Sequence, residues 1–325
     1  MTNNKQIPNP DDNPCCSISR QTDANTLEIK TPSKINFHKK KHSRMILIEG
    51  GNFLMGSDSK AVFKEDGEGP VREIEIESFY LSETAVTNTE FATFVRETKY
   101  RTDAEKFGWS FVFHTFIHPY PSDSQFQSPH GTPWWKKVEG SSWRHPNGPN
   151  SNIKSIMRHP VVHISWNDAT EYCNWAGLRL PSESEWEYAA RGGLHQNEFP
   201  WGNDLTPDGK HMCNIWQGEF PTHNSLEDGF VATCPVDSYD ANKFGLYNVV
   251  GNVWEWQNDW FSTDFHRYGT RQNPTGPSSG TSKTIKGGSY LCHDSYCNRY
   301  RVSARSSNTP DSSTGNLGFR CASDM

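Results

Sequence analysis

No apolar run in this sequence approaches the roughly 18 residues a membrane-crossing helix needs, and the start from Met1 to Gln6 lacks the apolar stretch of a secretory leader. A soluble, cytoplasmic chain with no membrane partner is the expectation. A basic face is missing too, since 32 Lys and Arg stand against 38 Asp and Glu for a net charge of −6, and the longest basic run, Lys39-Lys40-Lys41, sits in a polar leader. That argues against nucleic acid as a partner. Cysteine is sparse, with 8 in 325 residues, which excludes a small disulfide-stapled scaffold. Repeats with a period of roughly 20 to 50 residues are absent, so solenoids and propellers are not indicated.

What the chain does have is aromatic bulk and turn formers. Its 12 Trp, 11 Tyr and 18 Phe provide the material of a core, because each buried ring removes about 150–250 Å² from water. The 25 Gly and 20 Pro predict many turns and little long helix. Residues 1–43 are polar and hold Pro8, Pro10 and Pro14, a composition that cannot offset its own ordering entropy, so a disordered tail is predicted there. Residues 44–325 read as one domain. Met45-Ile46-Leu47-Ile48 and Phe53-Leu54-Met55-Gly56 form two short strand signals around Gly50-Gly51, and Val71 to Ile76 alternates as a half-buried strand. Three helix starts pair an N-cap hydroxyl with an acid three positions on, namely Thr87 with Glu90, Ser165 with Asp168 and Ser182 with Glu185. Beyond about residue 200 only short strands and ordered loops are expected.

The segment from Lys286 to Arg301 carries the most chemistry. Cys292 and Cys297 lie in a turn-rich stretch that could bring two sulfurs to one point, and paired thiolates are soft ligands that favour Cu(I). Neighbouring Arg299, Arg301 and His293 would favour the thiolate forms. Spacing alone leaves two plainer readings open, ordinary buried cysteines or a structural disulfide, because zinc sites more usually show two-residue gaps in pairs of pairs.

The stretches Gly287-Gly288-Ser289-Tyr290-Leu291-Cys292-His293, Ser295-Tyr296-Cys297, Asn308-Thr309-Pro310-Asp311-Ser312-Ser313 and Asn316-Leu317-Gly318-Phe319-Arg320-Cys321 closely resemble the C-terminal signature of formylglycine-generating enzymes. Ser165-Trp166-Asn167-Asp168-Ala169, Arg179-Leu180-Pro181, Glu185-Trp186-Glu187-Tyr188 and Gly251-Asn252-Val253-Trp254-Glu255-Trp256 extend the resemblance in order over nearly everything after residue 44. It implies an α+β domain, the formylglycine-generating variant of the C-type lectin fold with little regular secondary structure. The implied activity oxidises the cysteine of a Cys-x-Pro-x-Arg motif in an unfolded sulfatase polypeptide to Cα-formylglycine with molecular oxygen. Cys292 and Cys297 match the thiols that hold one Cu(I). Trp254, Ser289, His293 and Asn316 match pocket-lining residues, where Ser289 and Asn316 would orient oxygen-derived groups and Trp254 would exclude water. From the residues alone each also reads as structural: core tryptophan, turn hydroxyl, surface histidine and cap.

The resemblance further implies two calcium sites, one at Asn214, Ile215, Asp228 and Phe230, the other at Asn248, Gly251, Val253 and Glu255. Asn and Asp side chains with backbone carbonyls supply the hard oxygens Ca²⁺ prefers. Cys173 and Cys321 match one disulfide of the animal enzymes, whereas Ala190 and Val302 stand where the second would be. Trp109 stands where animal members carry an acid proposed to meet the substrate arginine. A monomer is expected. Two other classes stay open on the same scaffold, an inactive sulfatase-binding paralogue and an iron-dependent sulfoxide synthase or lectin-like binding module. The two thiols argue against the first, and the absence of a His-rich four-helix domain argues against the synthase.

Overall fold

A computed structural model describes residues 18–20, 44–117 and 126–325 of the chain. In chain order the elements are β1 (Met45–Ile48), β2 (Gly51–Met55), β3 (Arg72–Ile76), β4 (Phe79–Ser82), α1 (Asn88–Thr98), α2 (Asp103–Phe107), β5 (Trp109–Phe113) and β6 (Trp135–Glu139). Then follow α3 (Trp166–Ala176), α4 (Glu183–Arg191), β7 (Gly218–Glu219), β8 (His223–Asn224), β9 (Trp254–Trp260), β10 (Lys283–Lys286), β11 (Arg305–Asn308), β12 (Leu317–Gly318) and β13 (Ala322–Ser323). The three helix starts read from the sequence are α1, α3 and α4, each with a complete capping box. The short α2 carries a fourth such box, Thr102 with Glu105. Among the described residues no α-helix follows α4.

The strands make one four-stranded sheet in the order β11-β10-β9-β12, a three-stranded sheet β1-β4-β13, and three two-stranded ribbons. Most of β9 is buried, with Trp254 and Trp256 both fully inaccessible, because helices and loops cover both of its faces. The pairing of β12 with β9 is parallel and sets Leu317 opposite Trp254, so the chain just before β12 is delivered beside the tryptophan. The expectation of an aromatic core holds: Trp135, Trp143, Trp186, Trp254 and Trp256 are fully buried, and Phe91 packs edge-on to Phe94 and Trp143 and stacks on Tyr172.

Buried ion pairs thread this core. Glu183 and Glu187, one turn apart on α4, receive Arg305 and the pair Lys286 and Arg191 respectively. Burial pushes the Glu187 carboxyl up, yet Lys286 and Arg191 outweigh it and hold the group at about 2. Arg320 spans both carboxylate oxygens of Glu255 at 2.7 and 2.8 Å and also donates to the carbonyls of Ser82 and Tyr247.

His163 gives the fold a pH dependence. Its ring lies between the Ser110 hydroxyl and the Pro146 carbonyl, both at 2.8 Å, and full burial lowers its pKa to about 4. Below pH 6.5 the unfolded chain therefore binds a proton that the native state refuses, so stability rises with pH between about 4 and 6.5 and falls on acidification. Chemical denaturation at pH 7 and pH 4.5 should show a loss of about 2–3 kcal/mol attributable to this ring, and His163→Gln should flatten that part of the profile.

The expected tail falls mostly outside the described residues. Ile18, Ser19 and Arg20 are the exception, for Ile18 is 4% and Arg20 3% exposed, packed against the body of the domain.

Candidate active site

Gly287 and Gly288 follow β10 with φ of +94° and +70°, and a Cβ on Gly288 would come within 2.9 Å of the Arg299 carbonyl. Only glycine fits that crossing, and it folds the Ser289–Cys297 loop back on itself. Cys292 N donates to the Ser289 carbonyl at 2.9 Å and Cys297 N to the His293 carbonyl at 2.6 Å, two turns that bring the sulfurs to 3.2 Å from each other. Both cysteines are completely buried. A bond between them would measure about 2.05 Å, so the two sulfurs are in contact and not bonded to each other. Cys297 is disulfide-bonded.

A polar relay runs up to this pair. Thr314 Oγ1 donates to Asn316 Oδ1 at 2.6 Å, Asn316 Nδ2 donates to Ser289 Oγ at 2.9 Å, and Ser289 N lies 3.4 Å from Cys292 Sγ. Trp254 joins through its backbone N–H, which donates to the Asn316 carbonyl, and its indole N–H is buried with no partner among the described residues. Ser289, Asn316 and Trp254 are thus assembled next to Cys292. The His293 ring instead faces Ser295 and Asp294, and it is the His293 main chain that shapes the loop. Arg299 pairs with Asp66, and Arg301 binds both oxygens of Glu68 at 2.7 Å. These carboxylates offset much of the positive charge that the sequence placed beside the thiols.

Aromatic rings cover the loop from the other side. Trp134 meets Tyr296 and Phe220 edge-on at 4.9 and 5.3 Å, Phe220 stacks on Tyr296, and Trp216 donates its backbone N–H to the Cys292 carbonyl. Sequence reading missed Trp216, Phe220 and the residues around Arg20.

Arg20 lies in a slot built by β5 and the loop before β12. Its guanidinium sits 4.0 Å over the Trp109 ring and 4.5 Å over Phe107. It donates to the carbonyls of Asp311 and Trp109 and to Ser313 Oγ, at 3.0, 2.8 and 2.8 Å. Ser313 Oγ is 2.8 Å from Ser110 Oγ, which reaches His163, so the slot has a neutral polar wall. Burial lowers the Arg20 pKa to about 10, while Asp311, Asp103 and Asp168 act in the opposite sense and keep it a cation at neutral pH.

Of the oxygen clusters, the first brings Asp228 beside Ile215, Phe230 and Asn214. The Asp228 carboxylate accepts from the N–H groups of Ile215 and Phe230 and from Gln217, and Asn214 lies alongside with its amide on the Ala232 carbonyl. Burial raises the Asp228 pKa. The second set does not fit so readily. Asn248 Oδ1 is buried without a partner among the described residues, but the Glu255 carboxylate is committed to Arg320 and to the Trp186 indole at 2.7 Å. Cys173 and Cys321 lie with sulfurs 3.7 Å apart, both free. Ala190 and Val302 are buried in the core.

Residues 32–325 match the profile of the sulfatase-modifying factor enzyme 1-like domain. Over 283 residues the chain is 55% identical to the formylglycine-generating enzyme of Thermomonospora curvata, covering 86% of this chain and 93% of that one. It is 44% identical over 282 residues to the inactive C-alpha-formylglycine-generating enzyme 2 of Bos taurus, with 86% and 87% covered. The structure of PvdO from Pseudomonas aeruginosa superposes with a TM-score of 0.65 at 22% identity over 91% of this chain and 100% of that one, which shows a shared fold. The chain belongs to the sulfatase-modifying factor enzyme 1-like family, and its α+β architecture is the formylglycine-generating variant of the C-type lectin fold.

Proposed function

We propose that this protein is a copper-dependent formylglycine-generating oxidase acting on the cysteine of a Cys-x-Pro-x-Arg motif in an unfolded sulfatase chain, with dioxygen as the acceptor. The observation that carries the reading is the pair of buried sulfurs 3.2 Å apart at the end of the Thr314, Asn316 and Ser289 relay. As reduced thiolates, Cys292 and Cys297 are a soft donor set suited to Cu(I). Copper held there would supply the one-electron path to dioxygen that closed-shell thiols lack.

The remaining roles belong to the protein. Ser289 Oγ accepts from both Asn316 Nδ2 and the Leu291 N–H, which uses its lone pairs and leaves its own O–H to donate. Thr314 Oγ1 donates to the Asn316 Oδ1, which is consistent with that orientation of the amide. Trp254, Trp216 and Trp134 exclude water, and their indole N–H groups, without a partner among the described residues, are donors available to a bound peptide. The test is reconstitution of reduced, metal-stripped protein. One copper per chain with restored aldehyde formation is expected, and full turnover in copper-free protein contradicts the metal assignment.

The inactive relative favours a second reading, a sulfatase-binding protein without turnover. Intact Cys292 and Cys297 speak against it, and copper binding without turnover would support it.

The first oxygen cluster fits calcium by donor chemistry, and we assign it a structural ion at Asn214, Ile215, Asp228 and Phe230. No cation is assigned at Asn248, Gly251, Val253 and Glu255. Calcium at about a hundredfold excess over its Kd should add about 2.7 kcal/mol of stability, read as a higher Tm that a chelator reverses and that Asp228→Ala no longer shows. Identical melts with and without chelator would remove the ion.

A further inference from the structure

We propose that His163 is a positioning residue for the oxidation: its ring and main chain hold Thr314, Gly315 and Asn316 in the place from which Asn316 sets the Ser289 hydroxyl. The oxidase reading above supplies the reaction, and the structure supplies the placement.

Three consecutive residues bridge two parts of the molecule. On one side the His163 N–H donates to the Thr314 carbonyl at 2.9 Å and the Gly315 N–H to the Phe111 carbonyl at 3.1 Å. On the other the Tyr290 hydroxyl donates to the Gly315 carbonyl at 3.0 Å, and Asn316 Nδ2 donates to Ser289 Oγ at 2.9 Å. Gly315 lies against the imidazole, for a Cβ there would sit 3.4 Å from His163 Nε2. His163 takes this place with φ of +59°, a left-handed backbone that side chains other than glycine adopt at a cost and that concentrates at functional sites. What holds it is the ring, fully buried and bonded at both nitrogens.

The polarity of those bonds follows from their ends. Arg20 Nη2 can only donate and the Pro146 carbonyl can only accept, and between them stand Ser313, Ser110 and a neutral imidazole with one proton each. Contacts of 2.8 Å at every link therefore run one way: Arg20 to Ser313, Ser313 to Ser110, Ser110 to His163 Nδ1, and His163 Nε2 to the Pro146 carbonyl. Ser110 Oγ also lies 2.9 Å from the Ser313 carbonyl, but its single proton is claimed by Nδ1, which has no other donor among the described residues. Burial keeps the ring neutral at pH 7 against the pull of the Pro146 carbonyl, and the Arg20 charge acts in the same sense as burial. With its proton committed, the ring has one tautomer and one orientation. The tripeptide packed on it carries that placement to Ser289, whose N–H lies 3.4 Å from Cys292 Sγ.

The experiment follows turnover of a Cys-x-Pro-x-Arg peptide by full-length, copper-loaded His163→Leu, which fills the space of the ring without its bonds, and by His163→Gln, which keeps a donor for the Pro146 carbonyl. His163→Leu should lower kcat about tenfold or more, the cost of a misplaced reacting group, while the peptide KM and the copper bound per chain stay within about twofold. His163→Gln should recover most of that loss. In a Ser289→Ala background His163→Leu should cost no further kcat, because the two residues act as one unit, whereas a general loss of stability adds independently. Ser110→Ala, which removes the hydroxyl on Nδ1, enters the same cycle and keeps the test open if His163→Leu does not fold. Additive losses, or a raised KM with kcat kept, overturn the proposal. In reduced, copper-free protein the side-chain amide resonance of Asn316 should shift on His163→Leu, and an unmoved resonance also overturns it. A shifted resonance in a protein whose natural chain never forms aldehyde would leave the positioning standing and remove the oxidase reading.

Discussion

Replacing either Cys292 or Cys297 by serine is expected to abolish aldehyde formation and copper binding together. Serine preserves size but replaces a soft sulfur with a hard hydroxyl that stays protonated at neutral pH, so a two-sulfur site becomes a one-sulfur site. The two sulfurs are buried 3.2 Å apart, so each serine change removes half of the donor pair. Cys234→Ser is the control. That thiol is buried in a different loop, desolvation raises its pKa to about 11, and its contact is Asn248, so turnover should persist. Titration with Cu(I) alongside an aldehyde assay checks both halves, and a Cys297→Ser protein that still turns over would show that the pair is not the site.

The largest expected effect on stability is at Arg320. This side chain is fully buried, satisfies both oxygens of Glu255 and caps carbonyls of β4 and the Tyr247 loop. Arg320→Met leaves Glu255 as an uncompensated buried charge with only the Trp186 indole as side-chain partner, a loss of about 3–5 kcal/mol. Adding Glu255→Leu should return much of that loss, since replacing both members of a buried pair by apolar groups is often close to neutral. Urea denaturation of the two variants checks this. Equal destabilisation by single and double changes would mean the pair contributes through packing rather than charge.

Helix starts were legible because a capping box is a local device: Thr87, Ser165 and Ser182 announce their helices within four residues. The Thr102 box uses the same chemistry, but its five-residue helix has no apolar periodicity to support it. Strands of the C-terminal half were expected as a class and not in order. β10 is buried at every position and β12 has two residues, so neither displays the alternation that marks a half-exposed strand.

The thiol pair was legible because its residues share one segment. Ser289, Asn316 and Trp254 came with the family signature, and geometry then joined them through hydrogen bonds. The charge around the thiols was misjudged, because Asp66 and Glu68, more than 200 residues from their arginine partners, were not visible as counter-ions. The arginine slot was hidden for the same reason. Its side chains, from Phe107 to Ser313, lie far from Arg20 along the chain, and no local pattern marks them as neighbours.

The most direct test is the mass of a Cys-x-Pro-x-Arg peptide after aerobic incubation with the reduced, Cu(I)-loaded protein. Exchange of the thiol-bearing carbon for an aldehyde lowers the mass by about 18 Da, a value set by the chemistry of the oxidation. That product, absent with Cys292→Ser, is the predicted result; an unchanged peptide in the presence of copper-loaded native protein would contradict the account.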